Sequence, residues 1–188
     1  MFDADNTAAL FTLLNTPEPP DLGPGPRSAI EPITVLETRV DSILANCRPA
    51  PATQLIRGTV LLWHDHLDAA HRIAQTIGSP DGSYLHALMH RREPDYWNSK
   101  YWWKRVGPHP CFPELARRTS EWLQANAGRP LGNGCLAQGR WDPIEFVDAC
   151  EAAARNPGNR LETVLLREVQ AIEFRVFLKH LANQAFGQ

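Results

Sequence analysis

The sequence predicts an all-α fold: a single-domain bundle of about six or seven helices behind a proline-rich N-terminal arm. Three observations carry this. Apolar residues recur at three- and four-residue intervals over most of the chain after residue 32. No stretch alternates apolar and polar residues as a half-buried strand does. Most of the periodic stretches are bounded by a recognisable start or stop signal.

Residues 7–14 suit a short helix after Asn6. Six prolines then fall between Pro17 and Pro32. Each removes a backbone donor and crowds the preceding turn, so no regular helix is expected there. Residues 1–32 are read as the arm and 33–188 as the helical domain. Ile33, Leu36, Val40, Ile43 and Leu44 share one face of the first domain helix, which stops before Arg48-Pro49. Ile56, Val60, Trp63, Leu67, Ala70, Ala74 and Ile77 form an unbroken stripe, which predicts one helix over 53–77 ended by Gly78. After the turn Gly78-Ser79-Pro80-Asp81-Gly82, a helix is expected over 83–93, interrupted by Pro94. Asp95 can cap the next, to Val106, and Pro113 suits the first turn of another, to Asn126. Residues 127–141 hold four glycines but no Gly-Lys-Ser/Thr ending, so they read as a loop and not as a phosphate cradle. Asp142-Pro143-Ile144-Glu145 is a cap, a first-turn proline and an early acid, and this helix ends at Asn156-Pro157-Gly158. The last helix, 160–185, is apolar around much of its circumference and should lie centrally.

The totals narrow the function classes. A net charge of −2 and a pI near 6.4 argue against a general nucleic-acid binder, although Arg91 to Arg118 holds seven basic residues against three acids. No apolar run approaches the ~20 residues that span a bilayer. The acidic opening Met1-Phe2-Asp3-Ala4-Asp5 is unlike a signal peptide. Cys47, Cys111, Cys135 and Cys150 form no Cys-x-x-Cys pair and read as reduced thiols, so a cytoplasmic protein is expected.

Chemistry concentrates between His64 and Arg105, which holds five of the seven histidines. His64, Asp68 and His71 are spaced i, i+4, i+7, as are His86, His90 and Glu93, so each set lies on one helix face. Two helices joined by so short a loop pack antiparallel. Folding the chain about residues 80 and 81 brings His71 level with His90 and Asp68 level with Glu93. His64 lies ~10 Å from His71 along the axis, too far to share an ion, so His64 and His86 are flanking groups. Imidazole with carboxylate suits zinc, iron, manganese or nickel, giving a candidate divalent-metal set of Asp68, His71, His90 and Glu93. The same four residues also suit metal-free acid–base work, with Asp68 and Glu93 orienting the rings of His71 and His90. Arg91, Arg92 and Lys100 are candidates to hold a small polar or anionic molecule, with Tyr96, Tyr101 and the nearby tryptophans as walls. The competing expectation is a helical interaction or scaffold protein whose histidines are structural. No nucleophile stands out: Cys111 follows His109, but the surrounding prolines fix no geometry.

The run His90-Arg91-Arg92-Glu93-Pro94-Asp95-Tyr96, with Asn98-Ser99-Lys100-Tyr101-Trp102, Arg105-Val106-Gly107 and His109-Pro110, resembles a segment of an uncharacterised family of bacterial and fungal proteins. The likeness extends back over His64–His71 and Tyr84–His90. It implies that the segment acts as one unit and implies no activity, cofactor or catalytic residue.

Overall fold

A computed structural model describes residues 2–28, 30–47, 50–126 and 134–187. All regular structure in it is helical: α1 (Phe2–Thr12), α2 (Ile33–Leu44), α3 (Pro51–Trp63), α4 (Leu67–Ala74), α5 (Pro80–Arg92), α6 (Tyr96–Val106), α7 (Cys111–Asn126), α8 (Pro143–Arg155) and α9 (Arg160–Phe186), with a short 3-10 turn at Ala137–Gly139. The described residues thus form nine helices where pattern alone predicts six or seven. Part of the difference is the 53–77 stripe, which is two helices and not one. Residues 127–133 of the expected 127–141 loop lie outside the described residues.

α9 runs through the centre, packed against α1, α3, α7 and α8. Leu165, Leu166, Val169, Phe174, Phe177, Leu178 and Leu181 are buried along it, and Phe174 meets Trp63 edge to face at 5.4 Å. Local signals set several helix ends. Asp142 accepts from the amides of Ile144 and Glu145 at 2.9 and 3.2 Å, and Ser79 accepts from Gly82 at 3.1 Å. Asp95 caps α6 through the Asn98 amide at 3.2 Å.

The break between α3 and α4 has a tertiary cause. Asp65 takes a left-handed backbone (φ 63°). Its carboxylate accepts from Arg92 at 2.6 Å, and from the Arg27 Nε and amide at 3.0 and 2.9 Å. Arg92 also donates to the carbonyls of Leu62 (2.5 Å), Asp21 (3.1 Å) and Gly23 (3.2 Å). The end of α3, the arm and the end of α5 are therefore fastened at one buried point. The apolar stripe runs through the break undisturbed, which is why periodicity does not reveal it. Leu10, Leu13, Leu14 and Leu22 join the main core, and Gln170 donates to the carbonyls of Pro20 and Asp21, both at 3.1 Å. No helix among the described residues is long and apolar enough to cross a membrane.

Gly82 shows how tightly α5 is seated. A Cβ there would stand 1.9 Å from the Ile77 carbonyl oxygen, a backbone atom that cannot swing aside. Gly82→Ala should therefore cost about 3 kcal/mol, or roughly 10 °C in Tm, read by thermal denaturation. A change under about 1 kcal/mol would mean that the 77–82 turn is less constrained than this contact requires.

Candidate functional site

The short α4 packs against α5, and α5 against α6. His71 lies in the last turns of α4. His86 and His90 stand one turn apart on α5 and share a face. The three rings converge: centroids are 4.8 Å apart for His71–His86, 5.2 Å for His71–His90 and 4.8 Å for His86–His90. One ring nitrogen from each falls within 4.8 Å of the others.

α6 closes the cluster from behind. The Ser99 hydroxyl donates to the Ala87 carbonyl at 2.8 Å and pins α6 to α5. One residue before this rivet and three after it, Asn98 and the half-buried Trp102 reach the histidines. The Trp102 ring lies 3.8 Å from that of His86, nearly parallel at 19°. His90 Nδ1–H donates to Glu93 Oε2 at 3.0 Å, while the Asn98 side-chain amide donates to His90 Nε2 at 3.1 Å. A carboxylate behind one ring nitrogen is the usual way to fix the tautomer of a ligating histidine. Among the described residues, His86 Nδ1 is buried with no hydrogen-bond partner. An unsatisfied buried nitrogen of this kind costs about 1–3 kcal/mol.

Electrostatics keep the two α5 histidines neutral. Burial, and then repulsion from His90 and from His71, push the His86 pKa down to about 3. Burial also lowers His90, against the opposing pull of Glu93. A neutral imidazole is the form that binds a metal ion, and His86 Nδ1 has its lone pair free, whereas an ion on His90 Nε2 would displace the Asn98 amide. Glu93 also lines a cleft of about 720 Å³, together with Asp68, His66 and Arg72. Arg72 makes no ion pair among the described residues.

Compared with protein-family models, with curated proteins and with solved structures, the chain matches none.

The arrangement changes the roles expected from spacing. The converging groups are His71, His86 and His90. His86 belongs inside the set, because it faces α4 from the turn before His90. Asp68 stands one turn before His71, on the wall of the cleft and outside the group of three rings. Glu93 supports His90 from behind. His64 is elsewhere: it is buried where α3 ends, 2.8 Å from the Leu13 carbonyl, and burial lowers its pKa. Arg91 and Arg92, expected to hold an anion, are fully buried and each is matched by a carboxylate, Glu173 and Asp65 respectively. Lys100 is paired with Asp148 and Glu151. Tyr96 is half-buried, and its burial raises the phenol pKa. Tyr101 is exposed on the rim, where its ring runs nearly parallel to the exposed Trp97 at 6.4 Å. Of the adjacent pair, Trp103 is core and Trp102 faces His86.

Sequence reading passes over Asn98, whose role needs the α5–α6 contact to be visible. It also passes over Arg72, a lone cation beside the chosen histidines. A second group of possible ligands, His109, Cys111 and His180, joins residues far apart in the chain and carries no spacing signal.

Proposed function

We propose that His71, His86 and His90 bind a divalent transition metal, and that a small polar or anionic molecule enters the neighbouring cleft, where Arg72 meets its negative charge. The observation that carries this is the convergence of three histidines, one of which, His86, has a buried Nδ1 with no hydrogen-bond partner among the described residues. Three imidazoles leave a further coordination position, as catalytic zinc centres do. Zinc, iron, manganese and nickel all accept such donors, and zinc and nickel favour imidazole over the harder ions. Glu93 contacts His90 and also lines the cleft, so it is placed to act on both. Whether the molecule is held or turned over depends on the ligand, and Glu93 is the residue of this set best placed to move a proton. Four free thiols, three of them buried, fit a reducing compartment such as the cytoplasm.

A helical scaffold with structural histidines is the competing reading, and His64, Arg91 and Arg92 favour it, because their polar groups serve only to join elements. Metal titration of tag-free, chelator-stripped protein separates the two. Binding of zinc, weakened at least ~100-fold in His86→Ala and His71→Ala with helicity retained, is the expected result. Unchanged affinity in both variants, or no binding in the parent, sinks the metal site and leaves the scaffold.

A further inference from the structure

A second cluster lies at the opposite end of α5. Asp81 is in the first turn of α5, His109 precedes α7, Cys111 begins α7, and His180 lies in the C-terminal third of α9. His109 Nε2 and His180 Nε2 both donate to Asp81 Oδ1, at 3.0 and 2.9 Å. Gln184 donates to the other carboxylate oxygen at 3.0 Å, and its amide nitrogen lies 2.8 Å from His180 Nε2. The Cys111 amide donates to His109 Nδ1 at 3.3 Å. One nitrogen of each ring and Cys111 Sγ fall within 4.8 Å of one another. His109 and Cys111 are buried, whereas His180 is partly open.

We infer that His109, Cys111 and His180 form a zinc site, with Asp81 as the carboxylate that orients both rings through Nε2. Nδ1 is then the nitrogen left to ligate, and the 3.3 Å bond from the Cys111 amide to His109 Nδ1 gives way as the ion binds. The donor set narrows the metal to zinc or copper, of which zinc needs no redox chemistry. Thiolate with two imidazoles suits zinc, and a carboxylate behind ligating histidines is the common supporting group. A cleft of about 220 Å³, bordered by Cys111, His180, Arg118 and Lys179, gives the ion a route in. Burial alone would push the Asp81 carboxyl up, but the hydrogen bonds from His109, His180 and Gln184 outweigh it and keep it ionised. Burial raises the Cys111 thiol, so the ion must displace a proton from sulfur as it binds. Three elements distant in sequence would then be clasped at one point, and zinc would stabilise the fold by mass action.

This site is independent of the three histidines between α4 and α5, and cobalt(II) tells them apart because only this one offers sulfur. Tag-free full-length protein, stripped with chelator and titrated with cobalt(II), should develop a near-ultraviolet thiolate-to-cobalt charge-transfer band that zinc abolishes. The band should persist in His86→Ala and vanish in Cys111→Ser. Asp81→Asn should keep the band while zinc affinity falls ~10–100-fold. If Cys111→Ser does not fold, His180→Ala, at the more open edge, should lose the band in its place. No band at saturating cobalt(II) overturns the inference, as does a band that survives both Cys111→Ser and His180→Ala. A band that requires His86 would overturn it too, since His86 belongs to the other cluster.

Discussion

Asp65→Ala should cost about 3–5 kcal/mol, enough to leave much of the protein unfolded at ordinary temperature. Arg92 has no exposed surface and Arg27 is nearly as enclosed. Burial pushes the Asp65 carboxyl up, yet the Arg27 amide and the Arg92 guanidinium offset that and hold it below the usual carboxylate range. Removing it leaves two guanidinium groups in the interior without a counter-charge, and arginine cannot shed its proton to compensate. Alanine must also adopt the left-handed backbone that Asp65 occupies, at a further cost of about 1 kcal/mol. Asp65→Asn isolates the electrostatic part, because asparagine tolerates that backbone while losing the charge. Urea denaturation at neutral pH should rank the parent above Asp65→Asn, and Asp65→Asn above Asp65→Ala. A loss below about 1 kcal/mol for asparagine would show that the charge is not what fastens α3, α5 and the arm together.

The second large effect lies at Arg91 and Glu173, and it is asymmetric. Both side chains are fully buried, 2.5 Å apart, and Arg91 sits over the Phe146 ring at 4.6 Å. Burial raises the Glu173 pKa, against the opposing pull of Arg91. Glu173→Leu strands a cation that stays charged and should cost about 3–5 kcal/mol. Arg91→Met strands a carboxyl that can take up a proton, so its cost should be smaller, about 2 kcal/mol at neutral pH. The double variant should come close to the parent, because two apolar chains fill the space without a desolvation penalty. The pH dependence follows from the sign. In Arg91→Met the folded carboxyl has a pKa above its unfolded value, so the native state binds more protons and gains stability as the pH falls toward 5. Denaturation of all three variants at pH 7.5 and pH 5.5 reads this directly. Equal costs for the two single variants, or a double variant no better than either, would contradict it.

These two pairs also show which parts of the molecule can be read from its sequence. The limits of α2, α8 and α9 are legible because their signals are local: Pro32 before Ile33, Asp142-Pro143, and Asn159, whose side chain accepts from the Glu162 amide at 3.3 Å. The meeting of His71 with His90 is legible too, since it needs only one face per helix and a short loop. The break at Asp65 is not, because its cause is Arg92, 27 residues away, and Arg27, 38 residues away. Arg91 and Arg92 read as groups free to hold an anion because the carboxylates that neutralise them, Glu173 and Asp65, lie in other helices or loops. His86 lies one turn from His90, and only the direction from which α4 approaches brings it inside. Residues 81, 109 with 111, and 180 come from three separate parts of the chain, and nothing short of the fold gathers them.

α5 carries Asp81 in its first turn and His86 and His90 in its last two, with ~14 Å of continuous helix between Asp81 and His90. Ser79 holds the rod at its front end, and Arg91 and Arg92 bolt it to α9 and to the α3–α4 corner at the rear. A bar anchored in this way does not bend easily. Any roll or axial slide imposed at one end is delivered almost undiminished to the other, so the two imidazole clusters share a single mechanical axle.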